Sequence, residues 1–437
     1  MIKIFVFLFV FFTIFGPKVG GWFDLSVIGS FGIFILSRSV RLDKHRIKTV
    51  RGIFSGNLLA VFSLIVFYGL IAFLFGEARD FNWPLRLTRA SLNTIFIGFS
   101  VPVLLEGKVL SVKNLLRIVE LTLLLNALIV ILGIAFPFLQ VLLSELYGYT
   151  KSIKDLRSFG LTAGLDSAGF LCVSGFALSS LRAASRRDKL SFVFVFIFCL
   201  STLFTSRSSI LLLLTIASLL IFFILSRRRV SWPVIILASS IGFIGAISAV
   251  YFIVLPTVDL NFWVGDDAGL IFGRRLIYNY STIDPSSFLN QMYIFPSQWI
   301  HLVFGYGDDR FATDSGYIRI IFYGGTSYLF LFIYFYYLAF SKSKLRIKGF
   351  HGRSVKIPIY SIVRGFFGVF LLILLLGNLK NLYFFTRGYH ELFMILYSIN
   401  LYILFNYNNL LRIDYDSTAP RWSKKTNVQR DWFSKSA

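Results

Sequence analysis

The sequence contains few charged residues and almost no cysteine. Asp, Glu, Lys and Arg make up 15% of its 437 residues, whereas soluble globular proteins carry about 25%. Only Cys172 and Cys199 are present, and both lie inside apolar runs. This excludes a disulfide framework and a zinc or iron–sulfur site built from cysteine. The four histidines show no HExxH spacing, so we expect neither a metal nor another cofactor.

The sequence also lacks nucleotide-binding motifs and internal repeats. It has no P-loop and no GxGxxG run, which argues against an ATP-driven pump. Hydrophobic residues dominate instead, at 56% of the chain, and Lys and Arg exceed Asp and Glu by 44 to 21. An apolar chain with such a basic excess is typical of a multi-span membrane protein. We therefore expect membrane lipid, and no nucleic acid, as a partner.

Apolar runs close to the length of one membrane-spanning helix, about 20 residues, recur along the chain. We predict about 12 such helices, at 3–16, 22–37, 53–75, 88–105, 117–138, 160–181, 190–205, 209–225, 232–255, 318–340, 357–377 and 391–407. Continuous runs of this length favour helices over the alternating pattern of a β-barrel. The first run resembles a signal peptide but lacks a cleavage pattern, so we interpret it as a span.

The basic residues predict which side each loop faces. Lys and Arg concentrate in alternate loops, which the positive-inside rule places in the cytoplasm with both termini. The fold class expected is an all-α polytopic integral membrane protein in which 1–437 forms one domain. A long outer loop of short helices, 256–317, separates spans nine and ten. Residues 408–437 form a basic cytoplasmic tail.

Three outer segments place arginine at the edge of an apolar span. They are Arg157 with Gly160, Asp166 and Gly169; the predicted tight turn Ser206-Arg207-Ser208; and Gly305-Tyr306-Gly307 followed by Thr313-Asp314-Ser315-Gly316-Tyr317, Arg319 and Gly324-Gly325. One guanidinium group can bind two phosphate oxygens at once, and it stays charged at any relevant pH. These arginines could therefore bind a lipid-linked pyrophosphate. The alternative for each is an ordinary contact with lipid phosphate.

Nearby acidic and imidazole groups are candidates for proton transfer. Asp166 is expected about two turns inside the sixth span, as a relay or an arginine partner, or else as a helix-packing hydrogen bond. Asp314 and His301 are the candidate general bases at the outer face. His390, in the last outer loop with Lys380, Arg387 and Glu391, is a lesser candidate and is interpreted as an ordinary loop residue.

The remaining polar and aromatic groups have simpler interpretations. Glu120, in the fifth span, is interpreted as structural, and Arg364 could pair with it or extend towards the inner face. The acidic pairs of 256–317 could bind a divalent cation, but solvated loop residues are the favoured interpretation. The aromatic residues of the same loop fit an interfacial belt better than a sugar-stacking surface.

The order of these features resembles the bacterial polysaccharide polymerase and ligase superfamily, which includes O-antigen polymerases (Wzy) and O-antigen ligases. The resemblance covers mainly 150–340 and is carried by the three arginine segments, the late outer loop and the number of spans. Ligases of this group tend to carry a His-Asn pair where this chain has Asp314-Ser315. That difference favours a polymerase.

The resemblance implies a glycosyltransferase of lipopolysaccharide biosynthesis at the periplasmic face of the bacterial inner membrane. Its donor and acceptor would be undecaprenyl-pyrophosphate-linked oligosaccharides, with a chain-length regulator protein as a further partner and no metal. Asp314 or His301 would deprotonate the acceptor hydroxyl. Arg157 and Arg207 would bind the donor pyrophosphate, and Arg274, Arg275, Arg310 or Arg319 would help to bind the second substrate.

Two other functions remain as alternatives. An O-antigen ligase would share the fold but transfer the polysaccharide to lipid A-core. A lipid-linked oligosaccharide flippase would need a charged central cavity, and the charged residues predicted within the spans are few, which disfavours it. A proton-coupled solute transporter is disfavoured by the long outer loop and by the lack of inverted repeats.

Overall fold

The computed structural model describes residues 2–19, 23–40, 56–76, 81–147, 157–162, 164–186, 189–226, 294–307, 315–342 and 358–418. Over these residues the regular structure is helical apart from one short hairpin, in which β1 (Lys18–Val19) pairs antiparallel with β2 (Phe23–Asp24), and turns and loops connect the helices. The helices are α1 (Ile2–Phe15), α2 (Leu25–Arg38), α3 (Gly56–Phe75), α4 (Asn82–Glu106), α5 (Val112–Ala135), α6 (Pro137–Tyr147), α7 (Leu165–Arg186), α8 (Lys189–Leu203), α9 (Arg207–Ser226), α10 (Trp299–Phe304), α11 (Gly316–Lys342), α12 (Pro358–Gly377) and α13 (Tyr389–Thr418).

Most of the predicted spans correspond to a helix. A helix occupies each predicted position except 232–255, which lies outside the described residues. Five helices in the described part are long and apolar enough to cross a membrane: α3, α4, α5, α7 and α11. Shorter apolar helices form within α1, α2, α8, α9 and α12. The apolar helices indicate a membrane-embedded protein, and the number of 12 spans stays a prediction.

Large apolar side chains are exposed on the outward faces of many helices. Examples on five different helices are Phe5, Phe67, Phe138, Phe192 and Phe330. Soluble monomers rarely expose so much apolar surface. Contact with lipid hydrocarbon accounts for it, because lipid tails are as apolar as these side chains.

The helix of the predicted fifth span ends at a break before Pro137. α5 begins after Ser111, whose hydroxyl accepts a hydrogen bond from the Asn114 N–H at 3.2 Å. It ends at Ala135, and α6 begins at Pro137. Proline has no N–H to continue the preceding helix, but it suits the first position of a new one. The predicted span 117–138 therefore corresponds to α5, but the helix ends three residues earlier than predicted.

Helix α7 lies at the centre of the bundle and packs against α5, α8, α9 and α12. Small residues allow these close contacts. A Cβ on Gly169 would overlap Ser209 on α9, and a Cβ on Gly175 would overlap the ring of Phe198 on α8. Small residues at helix contacts are common in membrane proteins. Gly169, singled out in the sequence as part of a motif, therefore has a packing role.

Candidate functional site

The segment that contains Arg157 packs against the turn that contains Arg207. The Ser158 N–H donates a hydrogen bond to the Phe204 carbonyl at 2.8 Å, and Phe204 begins the three-residue turn between α8 and α9. The predicted tight turn lies slightly earlier than expected: it comprises 204–206, and Arg207 and Ser208 already belong to the first turn of α9. Arg157 is half-buried. Two of the three arginine segments are therefore neighbours in the fold, although about 50 positions separate them in the sequence.

The Arg157 segment is held in place by α5 and α6. Gly160 has a left-handed φ of 55°, and a Cβ there would lie 2.6 Å from the Asn126 side-chain oxygen. The same oxygen accepts a hydrogen bond from the Leu161 N–H at 2.9 Å. The Gln140 amide on α6 donates to the Ser158 hydroxyl. These contacts explain why glycine follows Arg157 at this spacing.

Asp166 lies in the first turn of α7, not two turns inside a helix as predicted. The left-handed Gly160 and the bond from the Thr162 hydroxyl to the Phe159 carbonyl (2.8 Å) hold the preceding residues in a turn, so the helix starts at Leu165. A carboxylate in the first turn is stabilised by the helix dipole. It accepts a hydrogen bond from the Ser208 hydroxyl, beside Arg207.

The glycines of the third segment allow α10 and the residues after it to pack closely against α11. Helix α11 is kinked at Gly325, which has a φ of 75°. The kink leaves two carbonyls without helical partners, and the N–H groups of Tyr306 and Gly307 donate to them: to Phe322 at 2.6 Å and to Tyr323 at 2.9 Å. Both Gly305-Tyr306-Gly307 and Gly324-Gly325 are thus explained by this packing.

His301 and Arg319 lie on this α10–α11 pair. The His301 ring stacks on Tyr306, with ring centres 3.9 Å apart, and its Nδ1 is 3.3 Å from the Gly305 carbonyl. Arg319 is half-buried in the first turn of α11. The remaining predicted site residues lie outside the described part of the chain: Asp314, Arg274, Arg275 and Arg310.

The loop at 378–388 contacts both halves of the predicted site. At its start, the Asn378 carbonyl accepts a hydrogen bond from the Gly316 N–H at 2.9 Å, where α11 begins. Just after its end, the Tyr389 hydroxyl donates to the Ser167 carbonyl at 2.7 Å, next to Asp166. The loop therefore joins the start of α11, which carries Arg319, to the start of α7.

Four charged side chains at this end of the bundle form an ion-pair network: Asp24, Arg89, Arg387 and Glu391. Arg387 Nη2 lies 2.7 Å from Asp24 Oδ2, Arg89 Nη1 lies 3.9 Å from the same oxygen, and Arg89 Nε lies 3.5 Å from Glu391 Oε1. Burial alone would raise the pKa of Asp24, but Arg387, a hydrogen bond from Ser26 and Arg89 together lower it. The network balances two cations with two anions.

Hydrogen bonds complete the surroundings of the fully buried Glu391. Its Oε1 accepts from the Asn93 amide at 2.7 Å, and its Oε2 accepts from the Gly388 N–H at 2.7 Å. The neighbouring His390 was interpreted as an ordinary loop residue, and this was wrong. It is fully buried in the first turn of α13, with Nε2 2.8 Å from Thr94 Oγ1.

Sequence reasoning missed this network because its members come from three distant parts of the chain: Asp24, Arg89, and the segment that contains both Arg387 and Glu391. One signal was present, since Arg89 lies inside the predicted span 88–105 and an ionisable residue there requires a partner. No pattern in the sequence identifies Asp24 or Glu391 as that partner.

A second buried ion cluster lies further along α7. Glu120 on α5 accepts hydrogen bonds from Arg117 at 3.0 Å, from Ser179 at 2.8 Å and from Arg182. Arg182 follows Leu165 by about 25 Å of helix, so this cluster is far from the ion-pair network. Arg364, the predicted alternative partner, is exposed. Glu120 therefore serves to join α5 to α7.

No protein-family model matches the chain, and comparison with curated proteins finds no relative. Its function must therefore be argued from the residues and contacts above. Arg157 and Arg207 start from adjacent backbone segments, and two hydrogen bonds connect them: the Ser158 N–H donates to the Phe204 carbonyl, and the Ser208 hydroxyl donates to Asp166.

Proposed function

We propose that this protein is a polysaccharide polymerase of the bacterial inner membrane. It joins undecaprenyl-pyrophosphate-linked repeat units at the periplasmic face and so makes O-antigen or a related surface polysaccharide. The observation that supports this proposal is the packing of the Arg157 segment against the Arg207 turn, with Asp166 bonded to Ser208. Two guanidinium groups on adjacent segments suit a pyrophosphate, which carries several oxygens of like charge.

The reaction transfers a glycosyl group between two lipid carriers. The acceptor hydroxyl oxygen forms a bond with the anomeric carbon of the donor, and the bond from that carbon to the pyrophosphate oxygen breaks. The acceptor proton passes to the general base, and the undecaprenyl pyrophosphate leaves with the bonding electrons. Arg157 and Arg207 stabilise the charge that develops on the leaving oxygen.

The general base in this proposal is His301 or Asp314. When His301 Nδ1 carries its hydrogen and donates to the Gly305 carbonyl, 3.3 Å away, Nε2 is the ring atom that accepts a proton. Stacking on Tyr306 fixes the ring plane. The second substrate is bound by the remaining arginines, namely Arg274, Arg275, Arg310 and Arg319.

Substitution of the two donor arginines tests the proposal. In a strain that lacks the chromosomal gene, Arg157→Ala or Arg207→Ala should abolish long polysaccharide chains while the protein still inserts in the membrane. Loss of one such contact costs about 10²–10³-fold in rate. The control is Arg364→Ala, which removes an exposed arginine of α12 and should leave chain length unchanged. Normal chain length in both site variants would overturn the assignment.

The deletion strain itself separates the three candidate functions. Loss of a polymerase leaves lipopolysaccharide capped with a single repeat unit. Loss of a ligase or of a flippase leaves no O-antigen at all. Gel electrophoresis of lipopolysaccharide from the deletion strain, with and without a plasmid copy of the gene, distinguishes these outcomes.

A further inference from the structure

The ion-pair network is attached to one loop at three places. Arg387 belongs to the 378–388 loop and pairs with Asp24 at 2.7 Å. Arg89 Nη2 donates to the Phe385 carbonyl, and Glu391 Oε2 accepts from the Gly388 N–H at 2.7 Å. Two of these contacts hold the loop backbone itself, so the network fixes the path of the loop as well as the packing of the helices.

Stability alone does not explain why charged groups occupy these places. A buried ion pair is often no more stabilising than apolar residues of similar volume, because removing charges from water is costly. A buried pair instead favours the one conformation in which both charges are paired, since any conformation that leaves a buried charge unpaired is strongly unfavourable. The arrangement selected here is the position of the 378–388 loop.

That loop lies between the two halves of the proposed substrate site. The Asn378 carbonyl bonds to Gly316 at the start of α11, and the Tyr389 hydroxyl bonds to the Ser167 carbonyl at the start of α7. A shift of the loop would change the distance between Arg319 on α11 and Asp166 on α7. Displacement of reacting groups by about 1 Å costs about 100-fold in rate.

We propose that Arg89 and Glu391 are positioning residues for glycosyl transfer. Through the 378–388 loop they fix the acceptor half of the site, on α11, against the donor half, which comprises the Arg157 segment, Asp166 and the Arg207 turn. This inference rests on the proposed function for its catalytic consequence. Its structural consequence, the fixed position of the loop, can be measured without any activity.

The test compares two buried glutamates in the purified full-length protein in lipid nanodiscs. Glu391→Gln removes the charge from the network, and the matched control Glu120→Gln removes the charge from the cluster between α5 and α7. Both glutamates are fully buried and paired with arginine. We expect Glu391→Gln to lower kcat by about 10- to 100-fold, with the donor KM within about twofold of wild type because the donor arginines are intact. Glu120→Gln should lower the thermal midpoint with little change in kcat.

Hydrogen exchange of the backbone amides provides the second readout. In Glu391→Gln, the amides of Tyr383 and Gly388 should exchange about tenfold faster than in wild type, because the loop opens more often. In Glu120→Gln they should exchange at the wild-type rate. Arg89→Lys retains the charge but loses the fork that reaches both Glu391 and Phe385, so it should lie between wild type and Glu391→Gln in both measurements.

The outcomes separate this inference from the proposed function. If wild type transfers no sugar, the proposed function fails, while faster loop exchange in Glu391→Gln still supports the positioning role of the network. If the loop amides of Glu391→Gln exchange at the wild-type rate, the positioning role is overturned. Equal losses of kcat in Glu391→Gln and Glu120→Gln, at equal folded fractions, would also overturn it.

Discussion

At the residue scale, the charged side chains inside this protein are held by specific partners. Four are buried among the described residues: Arg89, Glu120, Arg182 and Glu391. Removing one partner of a buried pair costs about 3–5 kcal/mol, because the other charge is left uncompensated. Each of these positions is therefore sensitive to substitution, although only those near the 378–388 loop bear on the proposed reaction.

Asp24 provides a prediction about pH. Its pKa is lowered in the folded protein, since burial, which raises the pKa, is outweighed by Arg387, the Ser26 hydrogen bond and Arg89 together. A carboxyl of this kind stabilises the fold above its unfolded pKa of about 3.9, and that contribution is lost as the pH falls through the lower folded pKa. We therefore expect Asp24→Asn to lower the thermal midpoint at neutral pH, and the difference from wild type to shrink below about pH 4.

Thermal unfolding in detergent between acidic and neutral pH measures this difference. The control is Glu145→Gln, which changes an exposed carboxylate on α6 and should leave the midpoint unchanged throughout. A constant difference between Asp24→Asn and wild type at every pH would contradict the assigned ion pair.

At the element scale, the kink in α11 depends on a single glycine. Gly325 adopts a φ of 75°, and a Cβ there would overlap the Val303 carbonyl of α10. Non-glycine residues adopt this backbone region only at a cost. The kink also supplies the carbonyls that bind Tyr306 and Gly307. The contact between α10 and α11, and hence the place of His301, therefore requires glycine at this position.

We expect Gly325→Ala to destabilise the protein by about 2–4 kcal/mol, from backbone strain and overlap together. Gly368→Ala on α12 is the matched control. A Cβ there meets its nearest neighbour, the Phe340 ring, at 3.9 Å, so its effect should stay within about 1 kcal/mol. Denaturant unfolding in mixed micelles compares the two variants, and equal stability would contradict the role of the kink.

At the scale of the whole molecule, the distribution of basic residues predicts a single orientation in the membrane. Both termini should face the cytoplasm, and 256–317 should lie in the periplasm. Alkaline phosphatase, which is active only in the periplasm, should be active when inserted in 256–317 and inactive when fused after the last residue. A fluorescent protein that folds only in the cytoplasm should give the opposite pattern. Phosphatase activity at the C-terminus would contradict this orientation, and the proposed site could then not face the periplasm.

The sequence located nearly every described helix, because the length and apolarity of a run are local properties. It also predicted a tight turn beside Arg207, although the turn lies at 204–206 and Arg207 begins the next helix. It failed where a few backbone contacts set a boundary: the break before Pro137, and the start of α7 beside Asp166. The short hairpin that leads to Asp24 was not expected either, since two-residue strands leave no periodic pattern.

What the sequence alone determined is the class of protein: an apolar helical chain with basic loops and with arginines at the ends of its helices. Only the tertiary structure decided which of those arginines are neighbours and which charges are paired. Arg387 and Asp24 are 363 positions apart yet bonded at 2.7 Å. The physical reason is that the two kinds of structure depend on different lengths of chain. Helix formation depends on a chain segment of about 20 residues, whereas a salt bridge requires two side chains within 4 Å, and that depends on how every intervening helix packs.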